Sequence, residues 1–563
     1  MPSNSPQVTV SYKLATLLKA YGIDTVFGLV GIPIVKFANE MISCGIRFIG
    51  CRNEQSASYA ASVYGYLTNK PAVLLVVGGP GLIHALAGIY NSISNRWPLI
   101  VIAGSNDDGP VQYKGTFQEM DQLSVLGEYV KFKAKLSPSN MEYVFFNAYN
   151  NALQGTPGVT YISFPGNLIE DEVHVNPELD NHLISLPKKI KCSPDENTVA
   201  KVADLIVTSR KANKNVLVVI GKGTVEYSQL LRSFIHKFNL PFLPTPMAKG
   251  VIPDDHPMNV SSARSQALQM ADIVLVLGAR LNWILHFAEP PKWKREAIFI
   301  QCDMDAETLG WNNARNVSFS LLGDVGLTVK SLMQHMTEQE CDFRYPALPE
   351  PLRAKITKNQ ERLERMEHSR NEKGELNYHT VYRTVREALD DSRTFIVSEG
   401  ANTMDKARIS FPTSFAKRRL DCGTTGTMGV GMGYTLAAKL AHPELDVVLI
   451  QGDSAFGFSG MELETISRNK LGVVVVLMNN SGIYHGNNPH TSTKLTEQCR
   501  YDLMAKGLGG QGYLVKTLED LSVKFKQALI DARERNVFTL LNVIIEHGGN
   551  SNVTFAWQNR PRV

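Results

Sequence analysis

Two oxygen-bearing side chains, Asp453 and Asn480, stand in an ordered arrangement: Gly452-Asp453-Ser454, twenty-four residues, then Asn479-Asn480. A carboxylate and a carboxamide supply hard oxygen donors, which suit a divalent cation such as Mg²⁺. Mg²⁺ takes few protein ligands and fills its octahedron from other oxygens, so a site this sparse points to a bound diphosphate. Gly482, two residues on, can lend a backbone carbonyl. Between the halves lies Leu471 to Met478, a valine-rich apolar stretch that reads as a buried parallel strand ending at the asparagines. Helix and turn capping accounts for either residue alone, but not for the ordered set.

Such a strand must belong to a larger sheet, and the chain offers three. From Val8 to about Ile184, apolar runs at Thr25–Leu29, Phe48–Cys51, Ala72–Val77, Leu99–Ala103 and Thr160–Phe164 alternate with amphipathic stretches. That alternation is the pattern of a parallel sheet covered by helices on both faces. A second series follows at Val216–Ile220, Ile273–Leu277 and Ile298–Cys302. A third runs through Thr394–Val397, Val447–Leu449, Val473–Leu477 and Thr539–Ile544. The expected architecture is α/β, with three doubly wound parallel-sheet domains at 1–185, 195–345 and 376–563. Pro187 to Glu196 reads as a linker and the charge-dense Leu348 to Glu375 as a surface connector.

The bulk composition restricts the function classes. With 563 residues, 44% of them hydrophobic and 20% charged, the chain is that of a multidomain globular protein. Its net charge of +4 comes with no basic block, which argues against nucleic acid as a partner. No apolar run reaches the length of a membrane span, and no membrane insertion is expected. The seven scattered cysteines form no Cys-x-x-Cys, which argues against a zinc site or a disulfide framework.

The Gly-Asp-Ser…Asn-Asn spacing resembles the signature of thiamine diphosphate (ThDP) enzymes, whose commonest form is Gly-Asp-Gly. The runs Glu399 to Asp405, Gly423 to Gly431, Gly452 to Glu462 and Asn479 to Gly486 look like one branch of that family. The branch comprises 2-hydroxyacyl-CoA lyase and oxalyl-CoA decarboxylase. Further matches at Gly79–Leu86, Pro244–Pro253 and Gly278–Phe287 extend the resemblance over nearly the whole chain. It implies that Asp453, Asn480 and the Gly482 carbonyl hold Mg²⁺, with Ser454 and Ala455 on the diphosphate. Tyr378, Ala401, Asn402, Thr403 and Tyr484 would line ThDP, and Met428 would wedge it into a bent form. Glu54, in Cys51-Arg52-Asn53-Glu54-Gln55, would face N1′ of the aminopyrimidine, and Tyr484 would share in catalysis.

Other implied roles lie further from the metal. Gln118 and Glu119, in the loop Phe117 to Gln122, would reach the reacting carbons, while Arg264, Arg408, Ser551 and Asn552 would meet the acyl-CoA. Tail residues Gly548 to Trp557 would fold over coenzyme A as a lid. The resemblance also implies a homodimer or homotetramer with active sites at subunit interfaces, no FAD, and ADP in the decarboxylase at positions matching Arg280 and Asp303. Thr156 stands where relatives often carry arginine, which weighs against ADP here.

Both members of the branch release formyl-CoA. Arg52-Asn53-Glu54-Gln55, Phe117-Gln118-Glu119 and Phe555-Ala556-Trp557 match the lyase form, whereas Tyr501-Asp502-Leu503-Met504 is closer to the decarboxylase. The expected reaction is cleavage of a 2-hydroxyacyl-CoA to formyl-CoA and an aldehyde, with decarboxylation of oxalyl-CoA the alternative. The lyase reading suggests a peroxisome, although Pro561-Arg562-Val563 fits a Ser-Lys-Leu signal only in its middle residue; the cytoplasm is the alternative.

Overall fold

A computed structural model describes residues 7–109, 114–174, 186–371, 373–483 and 491–547. Tyr484, Ser551, Asn552, the proposed lid at Gly548–Trp557 and the terminal tripeptide lie outside them. Three parallel sheets, each flanked by helices, dominate the fold.

The N-terminal sheet has the spatial order Arg47–Gly50, Thr25–Leu29, Ala72–Val76, Leu99–Ser105, Val159–Pro165 and Phe132–Lys135. The central one runs Phe242–Pro244, Val216–Ile220, Ile273–Leu277, Ile298–Asp303 and Leu321–Leu322. The C-terminal one runs Arg419–Leu420, Thr394–Glu399, Asp446–Gly452, Val473–Asn479, Thr539–Ile544 and Gln511–Val515. Central strands such as Val473–Asn479 are buried along their whole length, because helices cover both faces. A short antiparallel pair, Gln7–Thr9 with Glu172–His174, closes the N-terminal unit.

The first and third units share a core, while the central unit keeps its own. Helix Glu54–Thr68 packs on helix Val430–Ala441, and Trp97 sets its ring 5.6 Å from that of Tyr434. Their approach is close enough to need glycine: a Cβ on Gly433 would lie 2.8 Å from the Ser56 carbonyl oxygen. The connector contains the solvated helix Glu350–His368.

Candidate active site

Neighbouring strands of the C-terminal sheet bring Asp453 and Asn480 together. Strand Asp446–Gly452 pairs with Val473–Asn479 on one side and with Thr394–Glu399 on the other. The carboxyl ends of all three open at one edge, where parallel α/β sheets bind ligands. Asp453 begins a helix there, Asn480 and Gly482 follow the next strand, and Ala401, Asn402 and Thr403 open the helix Ala401–Ser410.

Asp453 is 2% exposed, and its two oxygens accept from the N–H groups of Ser454 at 2.9 Å and Gly482 at 3.2 Å. Burial raises its pKa to about 6 in spite of those bonds. One end of the Asn480 carboxamide lies 3.2 Å from Asp453 Oδ1 and 2.8 Å from the Gly482 carbonyl oxygen. With nitrogen turned inward, the amide donates to both. With oxygen turned inward, three oxygens converge at separations near the roughly 3 Å octahedral edge set by Mg–O bonds of about 2.1 Å. The donor set therefore fits Mg²⁺. No cluster of three or more histidine, cysteine or acidic side chains offers a rival site among the described residues.

Most of the residues expected to line the cofactor are buried. Ala455 is fully buried, as are Asn402 and Thr403 nearly so, and the Thr403 carbonyl accepts from Tyr382 Oη at 2.9 Å. Tyr378 is buried too, which raises its phenol pKa, and Lys406 lies 4.4 Å above its ring. Met428, half-buried, has its carbonyl bonded by Tyr59 Oη at 3.3 Å, so its loop is tied to the N-terminal unit. Ala401 is exposed and Ser454 half-buried.

In the N-terminal unit Asn53 caps a helix by accepting from the Ser56 N–H, which fixes Glu54 as the first helical residue. Glu54 is 7% exposed, and its Oε2 lies 3.2 Å from His84 Nδ1. Gly79, at φ +53°, makes the turn into helix Pro80–Asn95, and its N–H is held by Gln122 Oε1 at 2.9 Å. Gln118 packs against that turn with φ +55°. Glu119 is nearby, but its Oε2 accepts from the N–H groups of Gly115 at 2.7 Å and Thr116 at 2.9 Å, shaping its own loop.

Arg408 lies on the wall of a cavity of about 210 Å³ where the three units meet. Its guanidinium bonds Asp421 at 2.8 Å and Asp405 at 3.0 Å, and although burial opposes the charge, these partners raise its pKa. Arg264 is turned to His286 Nε2 at 3.0 Å and to the Ile284 carbonyl; burial and the nearby Arg408 lower its pKa. On the same wall Arg280 donates to the Ser94 carbonyl at 2.5 Å, and Asp303 accepts from Arg96 at 3.4 Å.

Sequence models of the thiamine pyrophosphate enzymes match this chain three times: the N-terminal TPP binding domain over residues 8–125, the central domain over 199–332 and the C-terminal TPP binding domain over 399–543. The chain is 54% identical to the 2-hydroxyacyl-CoA lyase of Saccharomyces cerevisiae over 562 residues, covering 99% of this chain and 100% of that protein. It belongs to the thiamine pyrophosphate enzyme family. Human 2-hydroxyacyl-CoA lyase 1 is 38% identical over 571 residues, 96% of this chain and 95% of that one. The oxalyl-CoA decarboxylase of Escherichia coli K12 is 35% identical over 542 residues, 94% and 93% of the two chains. Within this family frame, the structure groups Asp453, Asn480, Gly482 and Ala401–Thr403 at one sheet edge, and Glu54, Gln118 and Glu119 around the glycine turn. Two partners escaped the sequence reading. His84, in Gly79–Leu86, is a lone histidine in an apolar helix, and Glu399, within Glu399–Asp405, holds the backbone just after Met428 with no charge pattern to mark it.

Proposed function

We propose that this protein is a ThDP- and Mg²⁺-dependent carbon–carbon lyase that cleaves a 2-hydroxyacyl-CoA to formyl-CoA and an aldehyde. The end-to-end likeness to a protein named 2-hydroxyacyl-CoA lyase carries the reading, and the convergent oxygens of Asp453, Asn480 and Gly482 support it. When bound, ThDP would supply a carbon acid whose conjugate base, formed by loss of a proton to the aminopyrimidine, can add to carbonyl carbon and take up the negative charge left after bond cleavage. Asp453, Asn480 and the Gly482 carbonyl would hold Mg²⁺ and, through it, the diphosphate; Ser454 and Ala455 would border it. Glu54, buried at the start of its helix, would hold the proton at the aminopyrimidine. Gln118 and Tyr484 would face the reacting carbons, with Arg264, Arg408, Ser551 and Asn552 on the coenzyme A side.

Glu54 and the Asp453 cluster belong to units 1–185 and 376–563, and we infer that a homodimer, or a pair of dimers, brings one subunit's carboxylate to the other's metal. Uncovered apolar side chains border both halves: Ile83 and Tyr90 beside His84, and Phe458 and Met461 after Asp453. An ADP bound at Arg280 and Asp303 would have to displace Ser94, Thr424 and Arg96 from them. No described helix is long and apolar enough to cross a membrane; peroxisomal residence belongs to the lyase reading. Incubation of purified protein with ThDP, Mg²⁺ and 2-hydroxyoctadecanoyl-CoA tests the reaction. Mass spectrometry should find formyl-CoA and an aldehyde one carbon shorter than the acyl chain, and absence of both would reject it.

A further inference from the structure

Glu54 has a companion that the site as described leaves without a task. Helix Pro80–Asn95 presents His84 within its first two turns, and the ring Nδ1 lies 3.2 Å from Glu54 Oε2. Within one chain the Glu54 side chain is 9% exposed and that of His84 65%, so the imidazole forms the outward face of an enclosed carboxylate, toward the surface where the proposed partner subunit would sit. The nearby backbone donors are committed elsewhere: the N–H groups of Arg52 and Asn53 go to Glu462 Oε1 at 2.9 and 3.2 Å, and that of Ser56 to Asn53. On the other side, a Cβ placed on Gly81 would lie 3.4 Å from Glu54 Oε1, so the second oxygen faces the glycine turn.

We propose that His84 is the proton partner of Glu54, holding one carboxylate oxygen and trading with it the proton that Glu54 exchanges with the aminopyrimidine. The inference rests on the ThDP reading of the site. A buried carboxylate that gains and loses a proton each cycle needs a route for it, and a bare carboxyl in an apolar pocket exchanges poorly. Imidazole is suited to the task because it changes charge near neutral pH and has two nitrogens with separate roles. The imidazolium donates its Nδ1 proton to Oε2, which leaves a neutral ring and a carboxylic acid. In reverse the acid returns the proton to Nδ1, and Nε2 exchanges with water held at the subunit interface.

Surrounding charges do not substitute for the imidazole. Arg52 points to Glu464 at 3.9 Å, Glu464 is also held by Arg468 at 3.0 Å, and Glu462 is occupied by backbone N–H groups and Thr465. From the facing loop, Glu119 turns to Gly115 and Thr116, and Asp121 caps Ser124.

Two variants, His84→Gln and His84→Ala, test this, and the residue's exposure means neither empties a core. Binding of ThDP·Mg²⁺ to the apoprotein is measured by calorimetry in buffers of different ionisation enthalpy, which counts the protons exchanged. C2–H exchange of the bound cofactor is then followed against pH. Wild-type affinity should persist in both variants, whereas the proton count on binding should change. C2–H exchange should slow by about 100-fold, the usual worth of a positioned acid–base group, and added imidazole should partly restore it in His84→Ala. Glutamine keeps a donor for Oε2 but carries no proton, so recovery of wild-type exchange in His84→Gln would overturn the proposal. An unchanged proton count, or exchange indifferent to imidazole, would also overturn it. Failure of the wild type to bind ThDP would instead reject the reading of the site beneath it.

Discussion

On the proposed function, Asp453 and Glu54 carry separate tasks, and single substitutions should separate them too. Glu54→Gln keeps the shape of the pocket and leaves the metal donors untouched, so ThDP should still bind while turnover is lost. C2–H exchange should fall by roughly 100-fold or more; wild-type exchange would remove Glu54 from the chemistry. Asp453→Ala deletes a metal donor, and the protein should purify with both Mg²⁺ and ThDP depleted, by more than the roughly 10- to 100-fold that loss of an outer-shell partner costs. Elemental analysis and cofactor content would check it. These residues were legible in the sequence because the backbone fixes them: each follows directly on a strand end or a helix cap. For Glu119 the structure records bonds to Gly115 and Thr116 that shape its own loop, and its catalytic role stays a proposal. His84 meets Glu54 only through the packing of two helices from separate βα units, which no local pattern announces.

Among the elements, the start of helix Val430–Ala441 has an uncommon anchor. Glu399, fully buried at the end of its strand, accepts from the N–H groups of Gly429, Val430 at 3.1 Å and Gly431 at 2.8 Å, and from Gln451 Nε2 at 2.7 Å. It thereby fastens the Met428 loop to the strand that leads into Asp453. Burial raises its pKa from 4.5 to about 7 despite these donors. The folded state therefore binds this proton more tightly than the unfolded chain. The stability it contributes is fully present below about pH 4.5 and lost as pH rises through about 7, a change on the order of 3 kcal/mol. Denaturation of the apoprotein should follow that slope, and Glu399→Gln, which cannot ionise, should flatten it; an unaltered slope would clear Glu399 of the effect. The elements themselves were unequally readable. Buried central strands such as Val216–Ile220 and Ile273–Leu277 stand out as apolar runs. Phe132–Lys135, Phe242–Pro244, Leu321–Leu322, Arg419–Leu420 and Gln511–Val515 escaped, and all five are sheet edges. An edge strand is short or half-polar because one side lacks a partner.

For the whole molecule, the proposed dimer, in which Glu54 of one subunit would serve the Asp453 cluster of the other, would make association part of the mechanism. Sedimentation should give a dimer or larger at assay concentration, and dilution that yields monomer should release ThDP; a monomer retaining cofactor and activity would contradict the divided site. The tail beyond Glu546 is glycine- and asparagine-rich before its apolar Val553 to Trp557. Truncation there should spare ThDP binding while kcat/KM for acyl-CoA collapses, whereas near-normal kinetics would mark the tail as dispensable. The proposed choice of substrate rests on the 54% identity, over 99% of this chain, to a protein named 2-hydroxyacyl-CoA lyase, against 35% for one named oxalyl-CoA decarboxylase. Steady-state formyl-CoA release from 2-hydroxyoctadecanoyl-CoA and from oxalyl-CoA, on the same ThDP- and Mg²⁺-loaded preparation, measures that choice directly. The larger kcat/KM should belong to the 2-hydroxyacyl-CoA; a preference for oxalyl-CoA, with carbon dioxide as the co-product, would contradict the account.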